Sequence, residues 1–214
     1  MASLIDAVAA APVIAILRAA GAERFADITD TLYDAGVRAV EFSLTTPGAL
    51  PAISACVGRR EGLAIGAGTV LRPSDVQDAV AAGAEYLVAP LMAKDTITEA
   101  MRLDVPILAD AFSPTEIFTA WVSGSFMVKV FPATGGPAYI KAVGEPLPGI
   151  PLVPTGGVSL ADAPEFMRAG AAALGMGGSL LGDVLDTGDL TALHTRAVDL
   201  VERLRPWAGG WWTS

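Results

Sequence analysis

Eight short apolar runs recur along the chain, their starts about 20 to 26 residues apart, and no other feature narrows the fold so far. They are "PVIAIL" (12–17), "VRAVEF" (37–42), "LAIGAG" (63–68), "YLVAP" (86–90), "PILAD" (106–110), "FMVKVFP" (126–132), "PLVPT" (151–155) and "AALGM" (172–176). Each ends in small, polar or proline residues and is followed by a helix-like stretch. The interval fits one strand, one helix of about ten residues and two short loops. A second period agrees with the first: Gly36, Gly83, Gly124 and Gly170 stand just before runs two, four, six and eight. Glycine at those points lets a helix end and the chain turn back into a strand. Eight strands of continuous apolar character alternating with helices predict a closed parallel α/β barrel, a (βα)8 TIM barrel. A doubly wound open sheet is the other architecture considered, but "RAAGAERF" after the first run carries no nucleotide-binding fingerprint.

The length, 214 residues, is normal for one such barrel, and 52% of the residues are hydrophobic, enough for one sizeable core. No linker or composition break divides the chain, so residues 1–214 are expected to form a single domain. Residues 2–9 are expected to form a short helix closing the bottom of the barrel. The tail 205–214, "RPWAGGWWTS", holds Trp207, Trp211 and Trp212. It either packs on its own barrel or makes a subunit contact, where tryptophan is favoured.

Charge and cysteine use exclude several classes of function. The formal net charge is -9, which opposes nucleic acid and anionic membrane as partners. The most apolar window, Ala7 to Leu17, is too short to span a membrane and is preceded by Asp6 instead of the positive region of a secretory leader. A cytoplasmic protein is expected. With one cysteine, Cys56, and one histidine, His194, the chain builds neither a disulfide framework nor a His/Cys metal cluster. No metal and no cofactor is expected.

Active sites of these barrels lie at the C-terminal ends of the strands. Reading that ring by position selects Arg18, Glu41, Thr69 and Lys129, then Gly156 and Gly157 after strand seven, and Gly177, Gly178 and Ser179 after strand eight. Pro90 and Thr155, at the ends of strands four and seven, join them as substrate-lining positions. Lys129 interrupts an otherwise apolar run, and alternation puts it on one face with Met127 and Phe131. If that face is the interior, desolvation favours a free amine, which attacks ketones to form Schiff bases. The alternative is a lysine that points outward between helices or pairs with a buried acid. Glu41 in "AVEFS" is the matching anomaly: alone it reads as a structural ion-pair partner, and beside a buried lysine as a proton carrier. "TGGVS" and "GMGGSLL" bare backbone N–H groups where such barrels hold phosphate. Arg18 supplies donors for a carboxylate or phosphate, unless it is a solvated loop arginine.

These segments together resemble a known family, the class I aldolases that cleave 2-keto-3-deoxy-6-phosphogluconate (KDPG) and related 2-keto-4-hydroxy acids such as 4-hydroxy-2-oxoglutarate (KHG). The resemblance lies in "IAILRA", "DAGVRAVEFSLTTP", "IGAGTVLRPSDVQDAVAAGAEYLVAP", "VKVFPA", "YIKA", "VPTGGVSL" and "GMGGSLL", in order, from about residue 12 to 182. It implies a homotrimer acting on a small 2-keto acid, with Lys129 as Schiff-base lysine and Glu41 as acid/base. It also implies Arg18 and Thr69 around the keto acid, and Gly157, Gly178 and Ser179 around phosphate. The chain departs from the pattern at Thr45, Leu91 and Ala109-Asp110, and its loop "FPATGGPAY" is one residue short. Asp110 adds negative charge at the ring, where the family commonly has a Pro-Gly pair. The expected reaction is retro-aldol cleavage of a 2-keto-3-deoxy sugar acid to pyruvate and an aldehyde. The competing readings are a phosphosugar isomerase or epimerase on the same barrel and a non-catalytic sugar-acid binder.

Overall fold

The structure is a computed structural model and describes residues 3–210. A first helix, α1 (Leu4–Ala10), leads into β1 (Val13–Leu17), α2 (Phe25–Asp34), β2 (Ala39–Ser43), α3 (Ala49–Cys56), β3 (Ala64–Gly68) and α4 (Pro73–Ala81). The chain continues through β4 (Tyr86–Ala89), α5 (Lys94–Arg102), β5 (Ile107–Ala111), α6 (Pro114–Val122), β6 (Met127–Val130) and α7 (Gly136–Gly144). It ends with β7 (Leu152–Pro154), α8 (Ala163–Arg168), β8 (Leu174–Met176), α9 (Gly178–Leu181), α10 (Val184–Thr187), α11 (Leu190–Leu204) and a short 3-10 helix (Arg205–Trp207). All eight expected strands are present, each starting within two residues of its sequence-based position.

The strands pair in parallel in the order β7-β6-β5-β4-β3-β2-β1-β8. A bridge between Thr155 and Gly175 joins the two ends of that order and closes the ring into a (βα)8 barrel. The turning glycines behave as their spacing implies: Gly36, Gly83, Gly124 and Gly170 have φ of 103°, 95°, 104° and 96°. A side chain at such angles is strained, so the helix-to-strand reversal depends on glycine there.

Local chemistry sets the helices. At α6 the Ser113 hydroxyl accepts the Glu116 N–H, the Glu116 carboxylate accepts the Ser113 N–H at 2.7 Å, and Pro114 opens the first turn. α11 buries Leu193, Ala197, Leu200 and Leu204, a helical stripe facing the barrel. The core has two shells. The larger lies between the outward faces of the strands and the helices. The smaller fills the lower barrel, where Leu4, Ala7 and Val8 of α1 plug the ring against Leu108, Met127 and Val153. Ser3 caps α1 by accepting the Asp6 N–H at 3.1 Å, holding the plug's first turn in place.

Inside the barrel, glycines on β3 make room for larger neighbours. A Cβ at Gly66 would fall 2.4 Å from the ring of Tyr86, which is fully buried. At the C-terminal end, Trp207 packs on the chain's own core with the Arg168 guanidinium 5.8 Å from its ring, and the Gly209 N–H donates to Ala9 O at 2.9 Å. This part of the tail lies on its own barrel; Trp211 and Trp212 fall outside the described residues. Among the described residues no helix is long and apolar enough to cross a membrane.

Candidate active site

The upper barrel interior opens into a cavity of about 720 Å³ at the C-terminal ends of the strands. Its lining includes every position singled out from the sequence: Arg18, Glu41, Thr69, Pro90, Lys129 and Thr155, with the loop residues Gly156, Gly157, Gly177, Gly178 and Ser179. The ionisable residues of the lining are Arg18, Glu41, Asp110 and Lys129, two cations and two acids.

Lys129 points inward, as the alternation along β6 requires, and its side chain is 12% exposed. It is also paired with a buried acid: Asp110 Oδ2 lies 3.8 Å from Nζ, and the two residues are partners in the β5–β6 register. The sequence reading treated an inward amine and an acid-paired lysine as alternatives, and the barrel contains both. The Phe131 ring, two residues on along the same face, lies 5.1 Å from Nζ and joins it in the cavity lining. That ring needs Gly156, where a Cβ would come within 2.5 Å of it.

Glu41 projects from β2 and is 3% exposed. A Cβ at Gly68 of β3 would fall 1.8 Å from Glu41 Oε1, so a side chain there would evict the carboxyl. Burial raises the Glu41 pKa, and the charges of Lys129 and then Arg18 pull it back down. The carboxyl is thus placed to exchange protons with whatever binds beside the lysine.

Arg18 sits at the exposed rim, held in place by hydroxyls. Its Nε donates to Ser43 Oγ and its Nη2 to Thr69 Oγ1, each at 3.3 Å. Ser43 shares further hydrogen bonds of 2.8 Å with Thr69 and with Thr45. The departure at Thr45 therefore has a local consequence: its hydroxyl helps fix the serine that fixes the arginine. Thr69 takes φ of 62°, unusual for a residue with a side chain, and this turns its hydroxyl toward Arg18. On the opposite rim the Ser179 hydroxyl donates to Val158 O at 2.7 Å and ties together the loops after β7 and β8. A Cβ at Gly157 or Gly178 would meet nothing within 4 Å, so backbone in both loops borders open space.

Sequence reasoning missed Phe131 and Ser43, both of which follow a chosen residue by two positions on the same strand face. It placed Asp110 at the ring as a departure from the family pattern but gave it no role and no pairing with Lys129. Leu91, another departure, is an exposed residue outside the cavity lining.

Comparison with known proteins converges on one family. The family model for KDPG and KHG aldolases matches residues 4–195. The 2-dehydro-3-deoxy-phosphogluconate aldolase of Pseudomonas aeruginosa is 36% identical over 188 residues, covering 85% of each chain. The 2-dehydro-3-deoxy-6-phosphogalactonate aldolase of Escherichia coli is 34% identical over 174 residues, covering 79% of this chain and 84% of its own. Among solved structures, KDPG aldolase from Legionella pneumophila, with pyruvate captured as a covalent carbinolamine intermediate, superposes with a TM-score of 0.84 at 25% identity. That match covers 91% of this chain and 96% of the other. Agreement over nearly the full length, on a barrel whose cavity holds an inward lysine and two carboxyls, means that this chain belongs to the KDPG and KHG aldolase family.

Proposed function

We propose that the protein is a class I aldolase that cleaves a 2-keto-3-deoxy sugar acid, 6-phosphorylated as in KDPG, into pyruvate and an aldehyde such as glyceraldehyde 3-phosphate. Lys129 is the nucleophile and Glu41 the acid/base. The observation that carries this reading is the placement of Lys129, the lining's one lysine, inside an otherwise apolar barrel with carboxyls beside it. Its amine attacks the C2 ketone, and loss of water gives an iminium that draws electrons from the C3–C4 bond. Glu41 takes the proton from the C4 hydroxyl as that bond breaks, releasing the aldehyde and leaving an enamine. Protonation at C3 and hydrolysis then free pyruvate and the lysine.

Arg18, fixed by Ser43 and Thr69, supplies a charged fork for the substrate carboxylate. Pro90 and Thr155 line the space between that fork and the lysine. The glycine loops Gly156-Gly157 and Gly177-Gly178, with Ser179, receive the phosphate on backbone N–H groups. The test is borohydride reduction with pyruvate followed by peptide mass spectrometry. A reduced pyruvyl adduct on Lys129 is expected, with aldehyde release from KDPG; an unmodified Lys129 in folded protein would end the Schiff-base mechanism.

The working form is a homotrimer, and α6 is its contact surface. α6 exposes Phe118, Trp121 and Val122, and Met101 of α5 covers Gly124 just beyond them. An apolar strip of this kind marks an interface more often than bare surface. Light scattering should give three times the chain mass, reduced to the single chain by Val122→Glu. The one free thiol, Cys56, is buried and fits the reducing cytoplasm.

A further inference from the structure

Asp110 lines the cavity, yet the mechanism above gives it no task. It projects inward from β5, is 5% exposed, and is the ion-pair partner of Lys129. Neither of its carboxylate oxygens has a hydrogen-bond partner in the protein. The amides of Ala111 and Phe131 lie near it without forming well-aligned bonds. A buried carboxylate held only by a long ion pair and by no hydrogen bond is costly, so these two oxygens facing a reaction cavity call for a ligand that uses them. Glu41 is placed differently: it lies against Gly68 on β3, whereas Asp110 meets the reacting nitrogen from the neighbouring strand.

We propose that Asp110 is a second proton-transfer residue of this site, acting on the carbinolamine formed at Lys129 Nζ while Glu41 serves the C4 hydroxyl; the inference rests on the Schiff-base reading above. Neutral Nζ attacks C2, the carbonyl π pair moves to oxygen, and transfer of one proton from nitrogen to that oxygen gives the neutral carbinolamine. Asp110 in its acid form then gives its proton to the hydroxyl. The C–O bond breaks with its electron pair leaving as water, and the nitrogen lone pair forms the C=N bond. One neutral acid and one neutral carbinolamine become water, a carboxylate and an iminium cation. The new carboxylate stands beside the cation it has helped to make, a favourable arrangement in a cavity of low dielectric. When the product imine is hydrolysed, the same carboxylate takes the proton back from the attacking water.

Burial pushes the Asp110 pKa up to about 7, against the pull of Lys129 and the Ala111 and Phe131 amides, with Glu41 adding to the rise. Both protonation states are therefore present near neutrality, as transfer in both directions requires. The charged groups around it are Lys129 from β6 and Glu41 from β2, with Arg18 after β1 acting on Glu41; β4, the other neighbouring strand, presents the buried phenol of Tyr86, which interacts with Glu41, then Val88 and Pro90 toward the interior.

The test is rapid-quench borohydride trapping of pyruvate across the neutral pH range. Wild-type adduct formation is expected to change rate with a break near pH 7, and a flat profile counts against the proposal. Asp110→Asn keeps the shape and removes the acid, and should slow adduct formation about 10²-fold and remove the break. Asp110→Gly should be equally slow and recover part of its rate with added formate. Wild-type rate and profile in the Asn variant overturn the proposal. Slowing in both variants with the break intact and no formate rescue marks a structural role and overturns it too. Wild-type protein that traps no pyruvate on Lys129 brings down the Schiff-base reading itself, so the two failures are told apart.

Discussion

Two layers of the same barrel, one step of the strand period apart, have opposite chemistry. Below, β2, β5 and β6 present Ala39, Leu108 and Met127 to an apolar interior sealed by α1. Two residues further along, the same strands present Glu41, Asp110 and Lys129 to an open cavity. Alternation makes each pair share a face, so nothing in the backbone separates them. What separates them is closure: the lower layer is plugged by α1, and the upper one opens into the cavity. The lower layer holds the ring together, and the upper layer gives up part of that stability to keep ionisable groups where water is scarce.

The sharpest way to test this separation is to remove the upper group of one pair. Lys129→Ala should abolish the trapped pyruvyl adduct while the protein keeps its far-ultraviolet circular dichroism. Loss of both signals together would mean that the upper layer also carries the fold. Next in size is Gly68→Ala, which leaves every reacting group present. The added methyl cannot coexist with the Glu41 carboxyl as placed, so turnover should fall by about 10²- to 10⁴-fold while some adduct still forms. Normal turnover would show that Glu41 works from another position.

The elements were legible in the sequence because they follow from periodicity. Apolar runs, cap glycines and the shared face of Met127, Lys129 and Phe131 in "FMVKVFP" each depend on neighbours a few residues away. The partnership of Asp110 with Lys129 depends instead on register between β5 and β6, which no local pattern encodes. Likewise, Gly68 is needed because Glu41 of the adjacent strand leans over it. The hydroxyl set Ser43, Thr45 and Thr69 that fixes Arg18 is assembled from two loops and a strand end, so only the closed ring brings it together.

A smaller effect is expected from the lower member of the β6 pair. Met127 is fully buried against the α1 plug, so Met127→Ala should cost about 2 to 5 kcal/mol through lost burial and the cavity left behind. Chemical denaturation reads that loss. The adduct formed per folded molecule should stay at the wild-type level, because the change lies below the reacting layer. A large drop in adduct formation from folded protein would couple the layers and weaken the contrast.

The smallest effect has the opposite sign. An acid whose folded pKa is raised binds its proton in the folded state over a pH range where the unfolded chain has lost it. Stability therefore falls as pH rises from the unfolded value of about 3.9 through the folded one. For Asp110 that window closes near 7. Asp110→Asn cannot ionise, so it should gain little at the acid end of the window and more above neutrality, where the wild-type carboxyl carries its full desolvation cost. At about 2 to 4 °C per kcal/mol for a chain of this size, the gain should appear as several degrees in Tm above neutral pH. A variant that is both more stable there and slower in forming the imine would locate the cost of keeping an acid beside Lys129 in the upper layer. A gain of equal size at both ends of the window would instead trace to packing and detach it from ionisation.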